Sequence, residues 1–97
     1  MADQIVDPFS WFSVIQKGKY VFIRTVTNYF VGEISDVDEK HIALINASWI
    51  PNTGRFSEAL SKGEFDEVEP YPDGTLVMSA AIVDLCPWKH ALPRQMK

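Results

Sequence analysis

Two runs of β-forming residues meet around a lone glycine. From Thr27 to Asn46 the chain reads TNYFVGEISDVDEKHIALIN: a strand, an acidic tip and a second strand, with Gly32 inside the first of them. Glycine weakens a strand, because it packs no side chain and loses more backbone entropy on ordering. Chains accept that cost where a strand bends sharply or where another backbone comes close. Upstream, KYVFIRTV (19–26) is rich in β-branched and aromatic residues and is separated from the strand over 28–37 only by a short connection around Val26–Asn28. With HIALINASWI (41–50) as a third strand, the sequence predicts an antiparallel meander.

The flanks complete the outline. PFSWFSVIQK (8–17) reads as a short helix, with Asp7 as cap, Pro8 in the first helical position and Gly18 as its stop. Pro51–Gly54 is a turn, and GRFSEALSKG (54–63) reads as one or two helical turns capped by Thr53, with Phe56, Ala59 and Leu60 at helical spacing. GEFDEVEPYPDG (63–74) reads as an acidic loop punctuated by prolines. TLVMSAAIVDLCPW (75–88) is the last β region. Its small residues Ser79-Ala80-Ala81 suit a tight bend between strands at 75–79 and 81–86, and Pro87 stops it. The tail over 87–97 has no clear pattern. The expected product is one mainly β domain spanning 1–97: an N-terminal helix, five short strands in a bent barrel, and an insertion over 51–74. A strongly bent second strand, curling at Gly32 to serve both halves of the barrel, explains the glycine.

A chain of 97 residues is at the small end of the domain range and leaves much of its surface wet, which oligomerisation commonly remedies. The single cysteine, Cys86, excludes an internal disulfide and suits a reducing, cytoplasmic setting. No stretch approaches the roughly 18 apolar residues of a membrane span, and the N-terminal MADQIVDPFSWF lacks the basic start of a signal peptide. The net charge of −4 argues against indiscriminate nucleic-acid binding, although Lys17, Lys19 and Arg24, and the tail with Lys89, His90, Arg94 and Lys97, leave selective binding open.

The order of these elements, and several residues, resemble the Sm-like family, which includes the RNA chaperone Hfq. Its first motif has a glycine in the second strand, a hydrophobic residue two later and an aspartate six later; Gly32, Ile34 and Asp38 match that spacing. Asn46 falls after the apolar run IALI, where Hfq-like chains also have asparagine. VMSAAIVDLCP (77–87) is similar to the second motif, a short strand, a small bend and another strand. These four residues are accordingly the expected fold determinants. The resemblance implies an N-terminal helix, a five-stranded barrel, and a closed homo-oligomeric ring in which the fourth strand of one subunit pairs with the fifth of the next. Leu76, Val77, Met78, Ile82, Val83 and Leu85 are then the expected interface. An SH3-like or OB-like small barrel is the alternative fold. The phrases FIRTVTNYFVGEI, ASWIPNTGRFSEAL and CPWKHALPR also look similar to short uncharacterised bacteriophage proteins, which would place the chain in the host cytoplasm.

The family's RNA contacts lie in the turn after the first motif's aspartate and in the bend of the second motif. Here the turn carries Glu39, Lys40, His41 and Ile42, with Ile42 where the Sm asparagine would be. The bend carries Ser79-Ala80 in place of Arg-Gly or Lys-His, so the uridine pocket is largely absent. The candidate contacts to single-stranded RNA are Lys40, which could attract phosphate, His41, which could stack on a base, and Lys17, Lys19 and Arg24 near Phe9, Trp11, Phe12 and Tyr20. Solvated lysines and core aromatics are the plainer interpretation of the same residues. Cys86 reads as a small core residue, His41 and His90 lack ligand spacing, and the acids over 64–73 lack the order of a calcium loop. Trp49 and Trp88 flank the insertion and the tail, as interface anchors or as packing within one subunit. No phosphate loop or nucleophile motif occurs, so the expectation is a protein that is not an enzyme and uses no cofactor and no metal. A ring that scaffolds a protein partner is expected first, and an RNA-binding ring with an altered site second.

Overall fold

The computed structural model describes residues 14–97. Most of the helix expected over 8–17 lies outside them, and residues 15–18 form bends and turns. Strands β1 (Tyr20–Thr25), β2 (Tyr29–Val37) and β3 (His41–Asn52) form the expected meander. Helix α1 (Phe56–Lys62), β4 (Glu67–Pro70), β5 (Thr75–Met78), a 3₁₀ turn (Ser79–Ala81) and β6 (Ile82–Pro87) follow. All pairings are antiparallel. The described residues therefore form six strands where five were expected. The additional one, β4, lies inside the segment taken for an acidic loop: its alternating acids face water while Val68 between them is buried.

The sheet runs β4-β3-β2-β1-β6, with β5 also on β3. One edge of β3 pairs with β2. The other is shared, His41–Leu44 with β5 and Ser48–Asn52 with β4. In a flat sheet, β5 and β6 would lie about 19 Å apart, four strand spacings. The three residues between Met78 and Ile82 span at most about 14 Å. The sheet must curl, and the short turn holds its ends near one another without a ladder between β5 and β6.

Gly32 sits opposite the irregular stretch of β3. A Cβ there would lie 2.9 Å from the Ala47 Cβ and 3.1 Å from its Cα. The glycine thus serves the close approach of the neighbouring strand. Opposite it the register slips: Val31 pairs with Ser48, but Glu33 pairs with Ile45, so Asn46 and Ala47 are accommodated across one residue of β2. Asn46 takes up the bulge with a left-handed φ of 48°, a conformation asparagine tolerates better than most residues. Its amide reaches Glu33 Oε1 at 3.4 Å.

Each face of the sheet carries a buried core. The inner core is aliphatic: Val21, Ile23, Ile34, Ile42, Leu44, Ala47 and Val77, with Val14. The outer core lies on the opposite face and mixes aromatic with aliphatic side chains: Phe22, Val31, Ile50, Ala59, Phe65, Val68 and Trp88. Phe65 stacks on Trp88 at 5.0 Å between ring centres and on Phe22 at 5.6 Å. Helix α1 has seven residues, too few to persist alone. Its buried Ala59 holds it on this core, and it ends at Gly63 in the left-handed region. The helix begins after Arg55 without a side-chain cap, and the Thr53 hydroxyl donates instead to the Gly54 carbonyl.

The tail is ordered by hydrogen bonds. The Trp88 indole donates to the Ala91 carbonyl, and His90 Nε2 donates to that of Leu60 at 2.7 Å. Buried Ser48 donates to the Pro93 carbonyl at 2.8 Å, and Arg94 donates to the carbonyls of Ala47 and Tyr71. Lys97 and Val68 exchange two backbone hydrogen bonds of 2.9 Å.

Candidate functional site

Asp38 organises the turn between β2 and β3. Its Oδ1 accepts the amides of Lys40 at 2.8 Å and His41 at 2.7 Å, and His41 Nδ1 lies 3.1 Å away. These donors hold its carboxyl below the usual carboxylate range, the Lys40 amide contributing most. The aspartate of the motif is thus employed in closing its own hairpin. Lys40 is exposed, between exposed Glu39 and half-buried His41. With Asp36 and Asp38 adjacent, the turn has more negative than positive charge.

The turn and the bend of residues 79–81 do meet. The Ser79 amide donates to the Lys40 carbonyl at 2.8 Å, and His41 pairs with Met78. The two segments that the Sm-like resemblance associates with RNA are therefore neighbours. The other candidate cations are dispersed. Lys17 and Lys19 lie exposed before β1, where the Lys19 carbonyl accepts the Ile34 amide at 2.9 Å. Arg24, near the far end of β1, is paired with Asp84 of β6; its Nε donates to Asp84 Oδ1 at 3.2 Å, and a second bond joins Nη2 to Oδ2. Its charge is already met. Phe9, Trp11 and Phe12 lie outside the described residues.

The expected interface residues divide by face. Val77 is a member of the inner core, and Ile82 and Leu85 pack against it. Leu76, Met78 and Val83 point outward, being 56%, 49% and 55% exposed. Val83 is the extra residue of a bulge, since Arg24 pairs with Asp84 and Thr25 with Ile82. Among the described residues, β5 and β6 each pair along one edge only. The outer edge of β4 differs, because Lys97 is bonded to Val68 there. The sequence reading missed that distinction.

The two tryptophans also part company. Trp88 is buried in the outer core of its own chain, whereas Trp49 on β3 remains 39% exposed. Cys86 is half-buried against the outer core, and burial, then the charge of Asp84, pushes its thiol up and away from the reactive thiolate. Among the described residues no three His, Cys, Asp or Glu side chains gather to hold a metal ion, and no helix is long and apolar enough to cross a membrane. Compared with family models, curated proteins and solved structures, the chain matches none.

Proposed function

We propose that this chain is an Sm-like module, a barrel in the sense of that family, whose copies join β5 to β6 in a closed ring that acts as a non-enzymatic scaffold for assembly or protein interaction. The observation that carries this reading is a pair of strands, joined by one short turn and bearing exposed Leu76, Met78 and Val83, that each have one edge without a partner among the described residues. An unpaired edge templates another strand unless lysine, proline or a covering segment blunts it. β5, reading TLVM, carries no charge and no proline. Two different edges in contact make a head-to-tail joint, and such joints close into rings when the rotation permits.

Light scattering tests this. The full chain is expected to scatter as a discrete multiple of 11.0 kDa. Met78→Lys with Val83→Lys is expected to give a single copy with unchanged circular dichroism. A wild-type particle of one chain at working concentration would overturn the ring.

The contact between Ser79 and Lys40 favours a second reading, an RNA-binding ring with a non-standard site. Titration of oligo(U), oligo(A) and a mixed single strand at low salt separates the two. The scaffold reading expects no shift at tens of micromolar protein. Salt-sensitive binding lost on Lys40→Ala would move the function to RNA.

A further inference from the structure

Residues 93–97 run from Ser48 of β3 to Val68 on the outer edge of β4, and all but the half-buried Pro93 are exposed. Arg94, Gln95, Met96 and Lys97 are all exposed, Met96 at 75%. What holds the segment is polar: Ser48 Oγ to the Pro93 carbonyl, Arg94 to the Ala47 and Tyr71 carbonyls, and the reciprocal backbone pair of Val68 and Lys97. Beside it is an open cleft of about 330 Å³, bounded by Gly63, Phe65, Val68, Pro93, Arg94 and Lys97. By contrast Trp88, where the tail leaves the sheet, is 5% exposed and packed among aromatics. Segments with few buried apolar contacts open locally at a fraction of the global cost. The strap can therefore lift while its root stays fixed.

Lifting leaves a specific demand behind. The Ser48 hydroxyl, buried while the strap is in place, loses its acceptor; the Tyr71 carbonyl loses a guanidinium, as does the Ala47 carbonyl, which keeps the Tyr71 amide; and the amide and carbonyl of Val68 become a bare strand edge. Polar groups in that position seek replacements. A replacement must be extended, must place a carbonyl at Ser48 and must bring an arginine one residue later. The segment that meets this description is the same segment of another copy.

We propose that residues 93–97 form a detachable strap over the β4 edge and that the vacated edge accepts residues 93–97 of a second copy, so that tails exchange between chains. This site is separate from the β5 and β6 edges and does not depend on the ring.

A labelled peptide of the sequence ALPRQMK tests it in trans, against the full chain and against a chain shortened to residues 1–92 whose fold is checked by circular dichroism. The peptide is expected to bind the shortened chain at least about tenfold more tightly than the full chain, and Arg94→Ala in the peptide is expected to weaken binding about tenfold. Equal binding to both chains, or none to a folded shortened chain, would overturn the proposal. If the shortened chain does not fold, hydrogen exchange on the full chain decides. The Val68 amide is expected to exchange about a hundredfold faster than the amides of Ile23 and Leu44. Exchange of Val68 together with those amides would show that the strap opens only on global unfolding, and would overturn the proposal equally.

Discussion

The inner and outer cores share strands but are assembled on different terms. The inner core takes every second residue of β1, β2 and β3 up to the bulge and fills its space with Val, Ile and Leu. The outer core takes the intervening residues, Phe22 and Val31, and covers them with a short helix, a four-residue strand and Trp88. The first is a matter of strand periodicity. The second depends on large rings from irregular segments, each of which buries more surface than an aliphatic side chain. A sheet this small gains a second hydrophobic face only by recruiting such segments, and they in turn have little structure without the sheet.

Gly32→Val is the strongest way to break the comparison. The new side chain would meet the Cβ and backbone of Ala47 and the Cβ of Leu44, none of which can swing aside. Loss of soluble protein is expected, at the upper end of overpacking costs. Ala47→Gly in the same chain should restore part of the yield, because it removes the nearest obstacle. A soluble Gly32→Val protein of ordinary stability would show that the inner core has slack there.

Phe65→Ala attacks the outer core alone. It is expected to cost about 3–4 kcal/mol, read as a lower urea midpoint, with a red shift of Trp88 emission as its stacking partner is lost. The transition should remain single. Two separate steps would mean that the cores melt independently.

The smallest effect concerns Asp38 at the inner hairpin, and it depends on pH. The folded state lowers the pKa of this carboxyl, so the native chain holds fewer protons than the unfolded one as acid is added. Its contribution is fully present above about pH 4, the unfolded value, and fades as pH falls through the lower folded value. Asp38→Asn should flatten that part of the stability profile and leave the Phe65→Ala loss unchanged. Urea midpoints between acid and neutral pH measure both.

The inner core was largely legible in the sequence, because Val21, Ile23, Ile34, Ile42 and Leu44 keep step with their strands. The outer core was not. Val68 stands between Glu67 and Glu69 beside a proline, so β4 has the composition of a loop. The tail is fixed by carbonyl acceptors on Ala47, Tyr71 and Leu60, which leave no trace in side-chain chemistry. One signal was available: Val21, Phe22 and Ile23 are three successive apolar residues, and a strand with one wet face would alternate. The candidate site was partly legible. The turn at Lys40 and the bend at Ser79 were each picked out in the sequence, but the contact between them was not. The pairing of Arg24 with Asp84, sixty residues away, does not show in either local sequence.

The division of β3 between two partners has a consequence for any assembly through β5. β4 occupies the half of β3 along which β5 would otherwise extend, so β5 offers a neighbour only four residues of backbone. A joint that short is weak by itself, and a linear string of copies would come apart on dilution. In a circle, a broken joint leaves its two ends held close together and re-forms at high effective concentration. In such an assembly, short strands of this kind would favour closure over length.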